Sequence, residues 1–313
     1  MAPSDWFLIL QLLFAGQPVM LVSEYGSGNV LGFDPVSGAG VPLPAAFQPV
    51  AGVSGGADGM VIDDAGHLHV NREDGRIFRS DAKGQSFSLF ASLPGAGDGF
   101  FLLDLASNDS HLFATRFATT ELYRVALADA SVTLIPGPAA ASRFDGVRLG
   151  PDGRIYVVDA SDGRIFAWNP ADPGWSAFLA DGGPIEAASQ LEFGPDGRVF
   201  VSQTVNNHPR IVAYQLFAPE DWAGGLDPAS MQLIGNYAAA SAATGIRIGP
   251  DGRLYANAFN AGEVWRSDPG ITAMEPAAFV TGLDLPGSIL FLGGGGDSLF
   301  TDRFEAGAGT GQR

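Results

Sequence analysis

The pentapeptide Gly-Pro-Asp-Gly-Arg stands three times in this chain, at residues 150–154, 194–198 and 249–253. Short β-rich runs flank every copy: Val147-Arg148-Leu149 and Ile155-Tyr156-Val157, Leu191-Glu192-Phe193 and Val199-Phe200-Val201, Ile246-Arg247-Ile248 and Leu254-Tyr255-Ala256. Proline presets φ for a tight turn and the second glycine accepts positive φ, so each copy joins two antiparallel strands. The chain is therefore an array of small hairpins. The fuller unit adds a polar residue with Gly before the first strand, a polar loop after the second, a third strand and a variable fourth. It is clearest over residues 145–168 and returns over 58–79, from Gln190 and from Thr244, with a degenerate copy over 102–125.

Second-strand centres fall at Leu21, Leu68, Leu112, Ile155, Val199, Leu254 and Leu299, about 43–47 residues apart except for one gap of about 55, where a surface insertion is expected over 218–231. That period, with four strands per unit, predicts an all-β fold: a β-propeller of four-stranded antiparallel blades. Third-strand motifs number fewer than second-strand ones, so six blades fit best, with seven the alternative. In the six-blade reading a C-terminal strand around 288–292 or 298–301 completes the N-terminal blade and removes the free sheet edges. The expected organisation is an apolar segment over 1–18 (an early strand or clasp, or a remnant export signal), a propeller over 19–302 and a flexible tail over 303–313.

Composition trims the function classes. There is no cysteine, which removes disulfides and thiolate chemistry. A formal charge of −17 disfavours nucleic acid, whose phosphates want a basic surface. The apolar run at 6–15 is too short to span a bilayer, and no other segment reads as a transmembrane span. Cytoplasmic and periplasmic or secreted locations both stay open. No nucleophile elbow, phosphate loop or dinucleotide fingerprint occurs, so neither a nucleotide nor haem is expected.

Strand direction sorts the loops. The Gly-Pro-Asp-Gly turns share one face of the disc, which makes Asp152, Asp196 and Asp251 structural. The other face, the mouth, gathers the entries to the first strands (Asp58, Asp104, Asp145, Gln190, Thr244) and the positions closing the second strands (Glu24, Asn71, Arg116, Asp159, Gln203, Asn257, Asp302). Such oxygen-rich groups suit Ca²⁺ or another divalent cation, and paired carboxylates suit general acid–base work. Asp58 and Asp145 are the catalytic candidates. Glu24, Asn71, Asp159 and Asn257 are candidate metal ligands. Arg116, Gln190, Gln203 and His208 are candidate substrate contacts. His67 and His69 share one side of a strand without a third ligand, so zinc is not expected. Aromatics at Phe78, Tyr123, Trp168, Tyr214 and Trp265 recur on the third strand and read as packing between blades.

Residues 150–168, GPDGRIYVVDASDGRIFAW, resemble NHL-type bacterial propeller repeats, and the likeness runs from about Met20 to Asp302. Residues 57–70, ADGMVIDDAGHLHV, are similar to a segment of the gluconolactonase, regucalcin and senescence-marker family. That resemblance implies a cation-ligating aspartate that is also a candidate base in lactone hydrolysis. The role falls on Asp58, with Asp145 in FDGVRLGPDGRIYV the rival match. It implies an early metal-binding glutamate too, for which Glu24 matches in position, within S-E-Y-G-S-G where the family reads E-G-P-x-W. The expected function is metal-dependent hydrolysis of a lactone or related small ester at the mouth. The alternatives are a non-catalytic propeller that binds a protein, glycan or small molecule, and a propeller lyase.

Overall fold

The computed structural model describes residues 18–180 and 187–293. The expectations for 1–17, for the tail after 293 and for Leu299 and Asp302 lie outside these residues. Within them the strands form six sheets of four, all antiparallel. The first strand, β1 (Val19–Glu24), is flanked by β2 (Val30–Phe33) and by the last, β24 (Pro286–Leu292). Blade 1 is therefore closed by the C-terminal strand as its innermost member, over the first of the two segments the sequence offered. Blades 2 to 6 run in chain order from the channel outward. Their inner strands are β4 (Ala57–Ile62), β8 (Leu102–Ser107), β12 (Phe144–Leu149), β16 (Ala187–Phe193) and β20 (Ala243–Ile248). Their second strands are β5 (Leu68–Arg72), β9 (His111–Arg116), β13 (Ile155–Asp159), β17 (Val199–Val205) and β21 (Leu254–Ala258). The seven-blade alternative is excluded for this ring, because inner strands contact one another around the circle from β4 through to β24 and back to β4.

Strand alternation explains why the ring closes. Successive side chains point to opposite sheet faces, and each face meets a different neighbouring blade. Leu21 packs with Leu68 and Val70 of blade 2, whereas Met20 and Val22 pack with Tyr255 and Val264 of blade 6. Six apolar clusters result, one between each pair of neighbours. Phe78, Tyr123, Trp168 and Tyr214 are buried in them, as expected of packing aromatics. The first Gly of these turns is needed for the same reason: a Cβ on Gly150 or Gly249 would lie only 2.2 or 2.7 Å from a ring carbon of Tyr156 or Tyr255. The predicted insertion is partly strand. After a single 3-10 turn at Trp222–Gly224, the chain enters the long outer strand β19 (Leu226–Asn236), so only its first half is loop.

Candidate active site

A β-bulge recurs at one place in every blade. In β4, Ala57 faces Arg72 and Met60 faces Val70, which leaves one residue too many on the inner strand. The same slip occurs in β8, β12, β16, β20 and, against β1, in β24. A bulge bends the strand, frees a carbonyl from the ladder and re-aims a side chain. The pairing fixes which residues are equivalent around the ring. Asp58, Leu103, Asp145, Ser189, Thr244 and Gly287 share the first bulge position; Gly59, Asp104, Gly146, Gln190, Gly245 and Ser288 share the second. Gln190 and Asp104 thus stand one place further along than Asp58 and Asp145. Glycine recurs at the second position because neighbouring inner strands touch there. A Cβ on Gly59 would lie 2.6 Å from the Asp104 Cα, and one on Gly245 2.9 Å from the Ser288 Cα.

Two rings of side chains hold the bulges. In the first, a polar residue of the second strand donates to a carbonyl of the next blade's inner strand. Ser23 bonds to the Asp58 carbonyl at 2.5 Å, Asn71 to Leu102 at 2.9 Å, Ser202 to Thr244 at 2.9 Å and Asn257 to Gly287 at 3.1 Å. Thr115 makes the equivalent bond to Asp145. In the second ring, the following residue clamps the loop that enters its own blade's inner strand. Arg116 donates to the Phe100 carbonyl at 2.9 Å, Asp159 accepts from the amides of Ser142 and Arg143, and Glu24 accepts from the Asp284 amide at 2.9 Å. The four residues expected to ligate a cation, Glu24, Asn71, Asp159 and Asn257, are therefore spread over blades 1, 2, 4 and 6 as latches and clamps. Among the substrate candidates, Arg116 also stacks on Phe100 at 4.2 Å, and Gln203 accepts a forked bond from Arg210. Gln190 is buried, and His208 is exposed at the rim of blade 5.

The structure brings Asp58, Asp104 and Asp145 together at the channel. Asp104 is fully buried and bonds to the Val147 amide at 2.9 Å and to Arg148 at 2.8 Å. Arg148 reaches on to Glu192 at 3.6 Å, and Glu192 meets Arg247 at 3.3 Å, so opposite charges fill the channel beneath the mouth. Asp58 and Asp145 are only partly covered and open to the mouth. Burial pushes the Asp145 carboxyl up to about 8; Asp104 adds to this, while Arg143 and the Ser189 hydroxyl oppose it. Asp58 is pushed well above the carboxylate range by burial, then by Asp104, Asp145 and Glu73. Two carboxyls that resist ionisation at neutral pH, one on blade 2 and one on blade 4 of the same channel mouth, are suited to proton transfer.

Aromatic residues rim this floor. Tyr25 packs edge-on to Phe259 at 5.8 Å, and its hydroxyl donates to Glu73. Burial and the Glu73 carboxylate hold that hydroxyl protonated far above its ordinary range. Across the mouth, the exposed Phe101 and Phe117 meet edge-on at 6.3 Å, joined by a bond from the Phe117 amide to the Phe101 carbonyl. Phe101 holds φ of 55°, unusual for a bulky side chain, and Arg143 lies over Phe117 at 5.2 Å. None of Tyr25, Glu73, Phe101, Phe117, Arg143 or Phe259 stood among the sequence candidates. A signal was available, because Tyr25, Glu73, Phe117 and Phe259 are equivalent by strand pairing, each one residue beyond the clamp position.

Among the described residues no three His, Asp or Glu side chains converge as ligands. Nor is any helix there long and apolar enough to cross a membrane.

The fold is a six-bladed β-propeller, similar in form to solved propellers that include a lactonase and a lyase. A putative 6-phosphogluconolactonase from Bacteroides fragilis superposes with a TM-score of 0.59 at 14% identity, covering 88% of this chain and 98% of that one. Virginiamycin B lyase from Staphylococcus aureus gives 0.51 at 18%, over 74% and 73%. A chain of a nidogen/laminin complex gives 0.63 at 11%, over 88% and 98%. At these identities the likeness is one of fold. No protein-family model and no curated protein matches the sequence.

Proposed function

We propose that the mouth is the active site of an acid–base enzyme that hydrolyses a lactone or a related small ester. One observation carries this reading: Asp58 and Asp145, equivalent residues of blades 2 and 4, hold their protons above the usual carboxyl range at an open mouth. We assign the base to Asp58 and the acid to Asp145, so that the working state is the one in which the pair has lost a single proton, from Asp58. Asp58 takes a proton from water as the water oxygen bonds to the ester carbonyl carbon. The carbon–oxygen bond to the ring then breaks, and Asp145 gives its proton to the departing alkoxide. The product is the open hydroxy acid, and proton exchange with channel water resets the pair. Arg143, held by Asp159 through its backbone amide, lies close enough to steady the Asp145 carboxylate once it forms. The lactonase-type propellers that share this fold support the reading as analogy of form. Metal dependence, which the sequence resemblance implied, has no ligand cluster behind it and no step is routed through a cation.

The test is a panel of five- and six-membered lactones, followed by proton release, with Asp58→Asn and Asp145→Asn. Each variant is expected to lower kcat by roughly 10²–10⁴-fold while staying folded. Hydrolysis that survives in both folded variants would sink the assignment.

A further inference from the structure

We infer that the blade 3–4 side of the mouth binds a carboxylate on Arg143, so that the ester substrate carries an anionic carboxyl group. The starting observation is a cation without a counter-ion. Arg143 stands in the loop that enters β12, and its Nε–H is shut off from solvent with no acceptor. Among the described residues no carbonyl or carboxylate oxygen bonds to its guanidinium. Other arginines of this face are committed: Arg72 donates to the Val53 and Ser54 carbonyls, Arg116 to the Phe100 carbonyl and Arg210 to Gln203. Asp159, which anchors the same loop, is taken up by the amides of Ser142, Arg143 and Ser161. Asp145 feels the Arg143 charge but keeps its proton near neutral pH. A charged donor kept from water and left unpaired is costly, and only an acceptor relieves it. A second observation is independent of charge. The Arg143 guanidinium lies over the Phe117 ring at 5.2 Å, and Phe117 meets Phe101 edge-on at 6.3 Å. Both rings are exposed, whereas the neighbouring Phe100 is buried. Phe101 also holds φ of 55°, so a bulky apolar side chain is kept in a strained backbone place without the burial that would justify it.

The walls select the kind of acceptor. Phe117 covers one face of the guanidinium and steadies its plane. The Nε edge then offers two parallel donors, a fork that a carboxylate fits. The exposed rings of Phe101 and Phe117 supply apolar surface for the body of the ligand beside that fork. Asp104 and Glu73 share the mouth, and their like charge weighs more heavily on a dianion such as phosphate than on a carboxylate. A bound carboxylate would also take up the positive charge that draws Asp145 towards ionisation, so that Asp145 stays the acid that the leaving alkoxide needs. This inference rests on the mouth being the reaction site, and its test separates the two.

The probe is benzoate, compared with benzyl alcohol and with inorganic phosphate by calorimetry at pH 6.5. Benzoate is expected to bind at least about tenfold more tightly than either, and to lose that margin in Arg143→Gln. Arg143→Lys, which keeps the charge without the fork, should retain only part of it, and Phe117→Leu should weaken benzoate about threefold or more. Added salt should lower the affinity. Equal binding of the alcohol or of phosphate, or an unchanged constant in Arg143→Gln, would overturn the inference. If that variant does not fold, unchanged constants in Arg143→Lys and Phe117→Leu would overturn it in its place. A kinetic arm compares γ-carboxy-γ-butyrolactone with γ-butyrolactone. The carboxylate-bearing ring should be favoured at least about tenfold in kcat/KM, and the ratio should fall to about one in Arg143→Gln whatever the absolute rates. If benzoate binds as stated while neither lactone opens, the inference stands and the hydrolase reading falls. If γ-butyrolactone opens as fast as its carboxylate and benzoate does not bind, only the inference falls.

Discussion

Asp145 should give this protein a stability that declines with rising pH. Its carboxyl titrates near 3.9 in an unfolded chain and at about 8 in the folded one. Between those values the native state binds the extra proton, so stability is fullest below pH 4 and is lost as pH rises towards 8. Partial contact with mouth water reduces the effect to on the order of 2–3 kcal/mol. Asn cannot ionise and keeps the shape. Asp145→Asn is therefore expected to match the parent at pH 4 and to melt at a higher temperature at pH 8.5; Asp58 leaves some slope in the variant. Identical pH dependence of melting in parent and variant would contradict the placement of this carboxyl. The sequence pointed to Asp58 and Asp145 because Asp-Gly entered two equivalent strands. It could not show which aspartates keep a free carboxyl, since that depends on donors brought from other blades. Asp159 meets the amides of Ser142 and Arg143 and is consumed as a clamp, whereas Asp58 meets none.

The repeating element was legible in the turns, and the misreadings arose at the bulge. A strand pattern read as strict alternation puts Gln190 level with Asp58. Both strands carry the same bulge, and Gln190 directly precedes Leu191 as Gly59 precedes Met60, so the place level with Asp58 is Ser189, whose hydroxyl bonds to the Ala243 carbonyl at 2.8 Å. The bulge also explains the latches: it frees an inner-strand carbonyl, and a buried unpaired carbonyl costs about 1–3 kcal/mol. Asn71→Ala should therefore lose about that much, by denaturant unfolding, because it strands the Leu102 carbonyl. A loss below about 0.5 kcal/mol would mean water replaces the amide. Charge inside the channel follows the same logic at greater cost. Arg148 is 1% exposed and is the ion-pair partner of the buried Asp104. Arg148→Met should cost about 3–5 kcal/mol by leaving that carboxylate uncompensated, and adding Asp104→Asn should restore part of the loss.

At the scale of the whole molecule, six interfaces between blades form one closed cycle, and among the described residues the only joint not made by consecutive chain is the pairing of β24 with β1. Period and strand count made six blades readable from sequence. The joint itself was less so, because β24 carries no Gly-Pro-Asp-Gly turn and reads only as the apolar run in PGSILFL. Its residues nonetheless serve both neighbouring interfaces: Leu290 and Leu292 pack towards blade 2, Ile289 and Phe291 towards blade 6. Gly287 also lies against Asp58, and Ser288 accepts its place through a bond from its amide to Ser23 at 2.8 Å. Truncation after Leu285 would thus open the ring, expose the β1 edge and remove one wall of the mouth together. The expected outcome is loss of a cooperative melting transition and of any mouth ligand binding, with aggregation through the bared strand. A circular permutant that begins at Val280 and joins residue 313 to residue 1 through a flexible linker keeps the β24–β1 pair within one covalent hairpin-like unit. It should melt within a few degrees of the parent, whereas permutants cut inside β8 or β12 should not. Equal stability of all these permutants, measured by calorimetry, would show that the ring closes without help from its terminal joint.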